Sequence, residues 1–185
     1  MLNDVKSDAE SRMKKAIEAL QRELSSVRTG RASPALVERV EVDYYGAMTP
    51  LNQLAGISVP EARLLVIQPW DKGSLQAIEK AIRTADLGVN PTNDGDVIRI
   101  SIPALTEERR KEMVKVVKSK VEDTRVAIRN IRRDAISQVK ELAQEKMIGE
   151  DEERRGEQDI QDLTDKYVAR ADAVGKEKED DVLEV

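Results

Sequence analysis

The stretch "TRVAIRNIRRDAIS", Thr124–Ser137, combines the packing pattern and the charge pattern that decide the fold. Its aliphatic residues belong to a longer run in which apolar positions recur every three or four residues. Such spacing places side chains along one side of an α-helix. The whole run is Met113, Val117, Val121, Thr124, Ile128, Ile131, Ala135, Val139 and Leu142. It predicts one very long helix with a single apolar side.

Two further segments show the same spacing. The first has Met13, Ile17, Leu20, Leu24 and Val27, and the last has Ile160, Leu163, Tyr167, Ala171 and Val174. Gly30 and Pro34 end the first helix, and Gly149 separates the last two. Because each helix has only one apolar side, the three must bury these sides against one another. This predicts a long antiparallel three-helix bundle.

The middle of the chain, residues 36–103, has a different pattern of apolar residues. Val40, Val42 and Tyr44 alternate with acidic residues, as in a half-buried strand. Apolar runs follow at "AGISV", "RLLVIQ" and "DVIRISI", and "SLQAIEKAIRTADLG" has helical spacing between them. The region therefore predicts a small β/α/β domain. We expect Trp70, which directly follows a predicted strand, to belong to its core.

The order of these elements indicates the domain organisation. One bundle helix precedes the β/α/β region and two follow it. The fold class is therefore α+β, with a bundle domain formed by residues 1–30 and 105–185 and an inserted domain formed by residues 31–104. The chain would cross between the domains at Gly30 with Arg31 and at Ala104 with Leu105. Two short connectors permit bending and limit twisting, so we expect a two-strand hinge.

The composition excludes several kinds of chemistry. The 185 residues include no cysteine and no histidine, which removes disulfides, thiolate zinc sites and histidine-based catalysis. Neither a phosphate-binding glycine loop nor a nucleophile elbow occurs. The acidic runs "EDEE" and "NDGD" fit a helix start and a tight turn better than a cation site. We expect no enzyme activity, no catalytic residue, no metal site and no cofactor.

The N-terminal stretch "MLNDVKSDAESRMKKAIEAL" mixes acidic with basic residues, unlike a signal or transit peptide. No apolar run approaches the roughly 20 residues that a membrane helix needs. We therefore expect a soluble, cytoplasmic protein, and we expect it to be a monomer.

Basic residues form a stripe along the predicted long helix, although the net charge of the chain is -5. At 100° per residue they fall in one sector beside the apolar side, and Glu112, Asp123, Asp134 and Glu141 fall on a third face. The basic stripe comprises Lys111, Lys115, Lys118, Arg125, Arg129, Arg132, Arg133 and Lys140. Residues 109–133 alone contain ten basic and three acidic residues, a local charge of +7. The stripe would extend roughly 44 Å at about 1.5 Å per residue.

The spacing within the basic stripe suggests an external anion. Bases four residues apart, such as Arg125 and Arg129, repel each other rather than pair. A long line of cations suits the phosphates of structured nucleic acid, whereas the near absence of aromatic residues disfavours a single strand. Two alternatives stay open. The stripe is a solvated face with intrahelical ion pairs, or the chain is a helical scaffold or adaptor that binds an acidic protein.

Four stretches together resemble the ribosome recycling factor family: "VRTGRASPALVERVEVDYYG", "IQPWDKGSLQAIEKAI", "LGVNPTNDGDVIRISIPALTEERRKEMVK" and "RVAIRNIRRDA". The resemblance extends over essentially the whole chain. It implies a three-helix bundle that carries an inserted β/α/β domain through a hinge. It also implies a translation factor that binds the post-termination ribosome and, with elongation factor G and GTP, splits it into subunits. A functional link to initiation factor 3 follows from the same resemblance.

The resemblance further implies that the arginine-rich helix binds large-subunit ribosomal RNA in the intersubunit space. Carried over to this sequence, it assigns this role first to Arg129, Arg132 and Arg133, and then to Arg28 and Arg31. Helical phase adds Arg125, Lys111, Lys115 and Lys118 to these candidates. We expect Arg132, nearest the apolar side, to be the least mobile of the arginines.

Overall fold

The computed structural model describes residues 1–27 and 29–184. The chain folds as two compact units. The helical unit is Met1–Thr29 with Glu107–Val185, and the sheet unit is Gly30–Thr106. Among the described residues, no helix has the length and apolar character needed to cross a membrane.

Within the described residues, four α-helices and six strands form the two units. The helices are α1 (Leu2–Ser25), α2 (Leu75–Thr84), α3 (Glu107–Gln144) and α4 (Glu150–Leu183). The strands are β1 (Glu41–Tyr44), β2 (Ala47–Pro50), β3 (Ala55–Glu61), β4 (Leu64–Pro69), β5 (Pro91–Asn93) and β6 (Ile98–Ser101). Helices α1, α3 and α4 pack against one another. The predicted α+β fold, a long helical bundle with a small β domain, is confirmed.

Ion pairs between the helices show their directions. Lys120 of α3 pairs with Glu23, near the end of α1, at 3.6 Å. Lys6, near the start of α1, pairs with Asp159, near the start of α4. Helix α3 therefore runs antiparallel to both neighbours, and α1 and α4 run in parallel.

The apolar sides of the three helices form the core of the helical unit. Its buried residues are Ala9, Met13, Ile17, Leu20, Leu24, Val27, Val117, Val121, Ile128, Ile131, Ala135, Val139, Ile160, Tyr167, Ala171 and Val182. The hydroxyl of the buried Tyr167 donates a hydrogen bond to Glu10 Oε1 at 3.2 Å. Burial, together with the Glu10 carboxylate, raises the pKa of Tyr167. The predicted apolar positions therefore face inward, as their spacing requires.

Two glycines let the helices approach closely. A Cβ atom at Gly156 would lie 2.9 Å from Leu2 Cδ1, and one at Gly175 would overlap Val121 Cγ2. Real Cβ atoms do not come so close to other atoms, so a larger residue forces a neighbour to move. Leu2 has a flexible side chain at the start of α1, whereas Val121 is β-branched and buried.

The sheet unit contains two antiparallel sheets. Strands β1 and β2 form a hairpin, and the second sheet has the strand order β3-β4-β6-β5. The core of the sheet unit consists of Val37, Val42, Leu51, Leu54, Ala55, Leu65, Ile67, Leu75, Ile78, Ile82, Ile98 and Ile100. The sequence pattern does not predict β2 or β5, because strands of four and three residues are too short to show alternation.

Trp70 does not belong to this core, so that expectation is wrong. In β4 the side chains of Leu65, Ile67 and Pro69 are buried. Successive strand residues point to opposite faces, so the residue after Pro69 faces away from the core. Trp70 is accordingly 69% exposed.

The carboxylate of Asp71 ties the β1–β2 hairpin to the segment before α2. It accepts hydrogen bonds from the Tyr44 and Tyr45 hydroxyls, each at 3.1 Å, and from the Gly73 N–H at 2.9 Å. The Gly73 N–H, followed by the two hydroxyls, lowers the pKa of Asp71.

The packing at Gly175 predicts a specific cost. The substitution Gly175→Ala places a methyl group against the buried Val121, an overlap that costs about 1–3 kcal/mol and exceeds the gain of about 1 kcal/mol in helix propensity. We expect a lower free energy of unfolding in urea, followed by circular dichroism. Gly156→Ala in the same helix is the matched control and should cost less, because Leu2 can move. A Gly175→Ala protein as stable as this control would contradict the account.

Candidate nucleic-acid interface

The basic stripe lies on one continuous helix, α3, beside its buried apolar side. Burial of Ile128 and Ile131 fixes how α3 is rotated about its axis. The stripe residues therefore have fixed positions relative to the core. Six are exposed, namely Lys111, Lys115, Lys118, Arg129, Arg133 and Lys140. The other two, Arg125 and Arg132, are half-buried at the edge facing α4.

Arg125 is engaged on both sides by carboxylates. Its Nε donates to Asp172 Oδ1 of α4 at 2.7 Å, and its Nη1 donates to Glu122 Oε2 at 2.9 Å. Glu122, followed by Asp172, raises the pKa of Arg125. Two negative charges thus balance this guanidinium, and it joins α3 to α4 rather than facing an external anion.

Glu122 also reaches a second arginine of the stripe. Its Oε1 lies 3.7 Å from Arg129 Nη1. Arg125 and Arg129 therefore share one intrahelical acid, as the alternative of a solvated face with intrahelical ion pairs expects, although the two bases do not pair with each other. An acid three residues before Arg125 serves both cations, which the spacing between the bases alone does not reveal. Lys111 is likewise paired, with Glu107 at 3.8 Å.

The remaining cations of the stripe keep their charge unbalanced. Within the part of the chain that the structure describes, Lys115, Lys118, Arg133 and Lys140 have no ion pair. All four are exposed. They cover about 38 Å of helix at 1.5 Å per residue. These four residues are therefore exposed cations without an ion pair among the described residues.

Arg132 is held differently from Arg125. Its Nη1 donates to the amide oxygen of Gln161, on α4, at 3.2 Å. Its Nε is buried and has no hydrogen-bond partner among the described residues. The guanidinium is thus oriented by a neutral group.

The other predicted site residues lie outside α3. Gly30, Arg31, Ala104 and Leu105 belong to the sheet unit, and Arg28 lies outside the described residues. Gly30 has a φ of 79°, and a Cβ atom there would lie 3.4 Å from both Leu105 N and Leu105 Cγ. The two connector segments therefore lie side by side at this point. Arg31 is exposed.

The sequence pattern missed the residues of α4 that complete this edge. Gln161 and Asp172 contact stripe arginines, although neither stands out in its own helix. The antiparallel arrangement of α3 and α4 could have revealed them, because it places residues late in α4 beside residues early in α3. Among the described residues, no group of three acidic side chains is arranged to hold a metal ion.

The ribosome recycling factor family model matches residues 20–183. The chain belongs to the ribosome recycling factor family. The resemblance inferred from the sequence motifs is thereby confirmed. Curated relatives named ribosome-recycling factor include those of Thermomicrobium roseum at 58% identity, Carboxydothermus hydrogenoformans at 57% and Bacillus velezensis at 56%. Each alignment covers 185 residues and the full length of both chains.

Solved structures of the ribosome recycling factor family have the same fold. A solution structure of a ribosome recycling factor matches with a TM-score of 0.78 and 46% identity, covering 100% of this chain and 98% of that chain. A second match, with a TM-score of 0.66, 49% identity and 99% coverage of both chains, is a T. thermophilus ribosome recycling factor. That factor is described with E. coli elongation factor G, bound to the E. coli post-termination complex. Family membership places the present chain among the factors of protein biosynthesis.

Proposed function

We propose that this protein is a non-enzymatic translation factor of the cytoplasm. It binds the post-termination ribosome and, together with elongation factor G and GTP, splits it into subunits, which initiation factor 3 then helps keep apart. Family membership and the ribosome complex of the T. thermophilus relative support the proposal. The energy comes from the GTP of the partner, so this chain, acting as a monomer, needs no catalytic residue or cofactor of its own.

The observation that carries the proposal is the unbalanced charge on α3. Lys115, Lys118, Arg133 and Lys140 are exposed cations on a helix whose rotation is fixed by its core. Phosphates of a structured RNA would neutralise them without any need for base recognition. We therefore assign the stripe, apart from Arg125, which Glu122 and Asp172 neutralise, to large-subunit ribosomal RNA in the intersubunit space, with Arg31 and Arg28 as additional contacts.

We also propose that the two connectors act as a hinge between a bundle domain, residues 1–30 and 105–185, and an inserted domain, residues 31–104. The positive φ of Gly30 and its packing beside Leu105 support this assignment. A glycine can change its backbone conformation at low cost, and two adjacent connectors bend together. In this mechanism the bundle stays anchored by its stripe while the inserted domain swings when elongation factor G pushes.

Removing three stripe arginines tests the RNA-binding role. Replacing Arg129, Arg132 and Arg133 with alanine should weaken ribosome binding at least about 100-fold, because each hydrogen bond to a charged group contributes about 1.5–3 kcal/mol. The salt dependence of binding should also become less steep. Co-sedimentation with purified ribosomes at several salt concentrations measures both.

The control for net charge replaces Lys14, Lys15 and Arg22, three exposed bases that belong to α1 and not to the stripe. Circular dichroism verifies that both variants keep their helices. Equal affinity of the two variants would contradict the stripe assignment. If the protein still binds the ribosomal proteins after nuclease has digested the ribosomal RNA, the alternative, an adaptor that binds an acidic protein, is favoured.

If the connectors form a hinge, locking them should impair ribosome splitting without impairing ribosome binding. The chain has no cysteine, so one cysteine introduced in each unit, at a pair chosen by screening, provides a reducible cross-link. The oxidised protein should bind ribosomes normally but split them slowly with elongation factor G and GTP, because the inserted domain cannot swing. Reduction should restore splitting in the same sample. Full splitting activity in the oxidised form would refute the hinge.

A further inference from the structure

The edge between α3 and α4 holds two arginines of the basic stripe with different chemistry. Arg125 is bound by the carboxylates of Glu122 and Asp172. Arg132, two turns further along α3, is bound by the amide of Gln161. No ion pair joins Arg132 to any described carboxylate, and this includes Glu157, which lies one turn before Gln161.

A short chain of hydrogen bonds fixes the orientation of this amide. The Nε2 of Gln161 donates to Asp165 Oδ1 at 2.9 Å, one turn further along α4. A carboxylate only accepts hydrogen bonds, so it must meet the NH₂ end of the amide. The oxygen end is then turned toward Arg132, where it accepts from Nη1 at 3.2 Å.

This arrangement positions a cation without cancelling its charge. A carboxylate in place of the amide would supply a full negative charge to Arg132, as Asp172 does for Arg125. The amide uses one of the four N–H groups on the terminal nitrogens, which leaves three for an external acceptor. A planar guanidinium held in this way is prepared to form two parallel hydrogen bonds with a phosphate.

We propose that Gln161 is a positioning residue for RNA binding, which holds the Arg132 guanidinium toward a phosphate while leaving it positively charged. Asp165 acts one step further back by setting the orientation of the amide. The proposal rests on the proposed function, since it presupposes that Arg132 contacts ribosomal RNA. It assigns a binding role to two residues of α4, the helix that carries no basic stripe.

The deciding variant is Gln161→Glu, which keeps the shape of the side chain and adds a carboxylate beside Arg132. We expect ribosome affinity to fall about 10-fold, and the slope of log affinity against log salt to decrease by about 0.7–0.9, as for the loss of one phosphate contact. Gln161→Met removes the acceptor without adding charge, and should weaken binding by roughly 3-fold through lost orientation.

The chain contains a matched control on the same helix. Gln158 donates to Asp162 at 2.9 Å, the same four-residue Gln–Asp pair, but no hydrogen bond or ion pair joins Gln158 to a described arginine. Gln158→Glu therefore reproduces the change in net charge and the repulsion from the following aspartate. It should leave ribosome affinity and the salt slope within about 2-fold of the parent protein.

A double-mutant cycle separates the positioning role of Gln161 from the RNA-binding role of Arg132. If Gln161 acts through Arg132, the loss caused by Gln161→Glu should vanish when Arg132 is already alanine. If Gln161→Glu weakens binding equally in both backgrounds, or no more than Gln158→Glu does, the positioning role is overturned. If Arg132→Ala itself leaves ribosome binding unchanged, the assignment of Arg132 to RNA fails instead.

Discussion

The single apolar side of α3 is buried against α1 and α4, and this burial sets the direction of the other side chains on the helix. Val117, Ile128 and Val139 are fully buried against α1 and α4, so α3 has no freedom to rotate about its axis. Every other residue of α3 then has a fixed direction relative to this core. The basic stripe is therefore a consequence of packing, since its line of cations keeps its direction only while the core beside it stays packed.

The basic residues beside this core differ in the groups that they contact. Glu122 and Asp172 neutralise Arg125 and use it to join two helices, whereas Arg132 meets only a neutral amide. Lys115 and Arg133 have no ion pair within the described chain. An acidic protein can in this way present a long positive surface, because its acidic residues balance some of the cations and leave others without an ion pair.

The sequence predicts those features that one helix or strand contains by itself. The three-residue and four-residue spacing revealed the long helices, alternation revealed β1, and short apolar runs revealed β3, β4 and β6. The short strands β2 and β5 were not predicted, because segments of four and three residues are too short to show alternation. The exposure of Trp70 was missed because one residue decides which face of a strand a side chain takes. Gln161, Asp165 and Asp172 were missed because their role depends on the register between two helices.

If the basic stripe on α3 faces ribosomal RNA, a cleavage reagent tethered beside the stripe should cut that RNA. Val126 is exposed on α3 close to the stripe, and the chain has no cysteine, so Val126→Cys carries a single tethered iron chelate. Hydroxyl radicals released there should cut large-subunit RNA at a confined set of positions, whereas a tether at Lys15→Cys on α1 should not cut those positions. Absence of these cuts from Val126, in a protein that still binds ribosomes, would contradict the account.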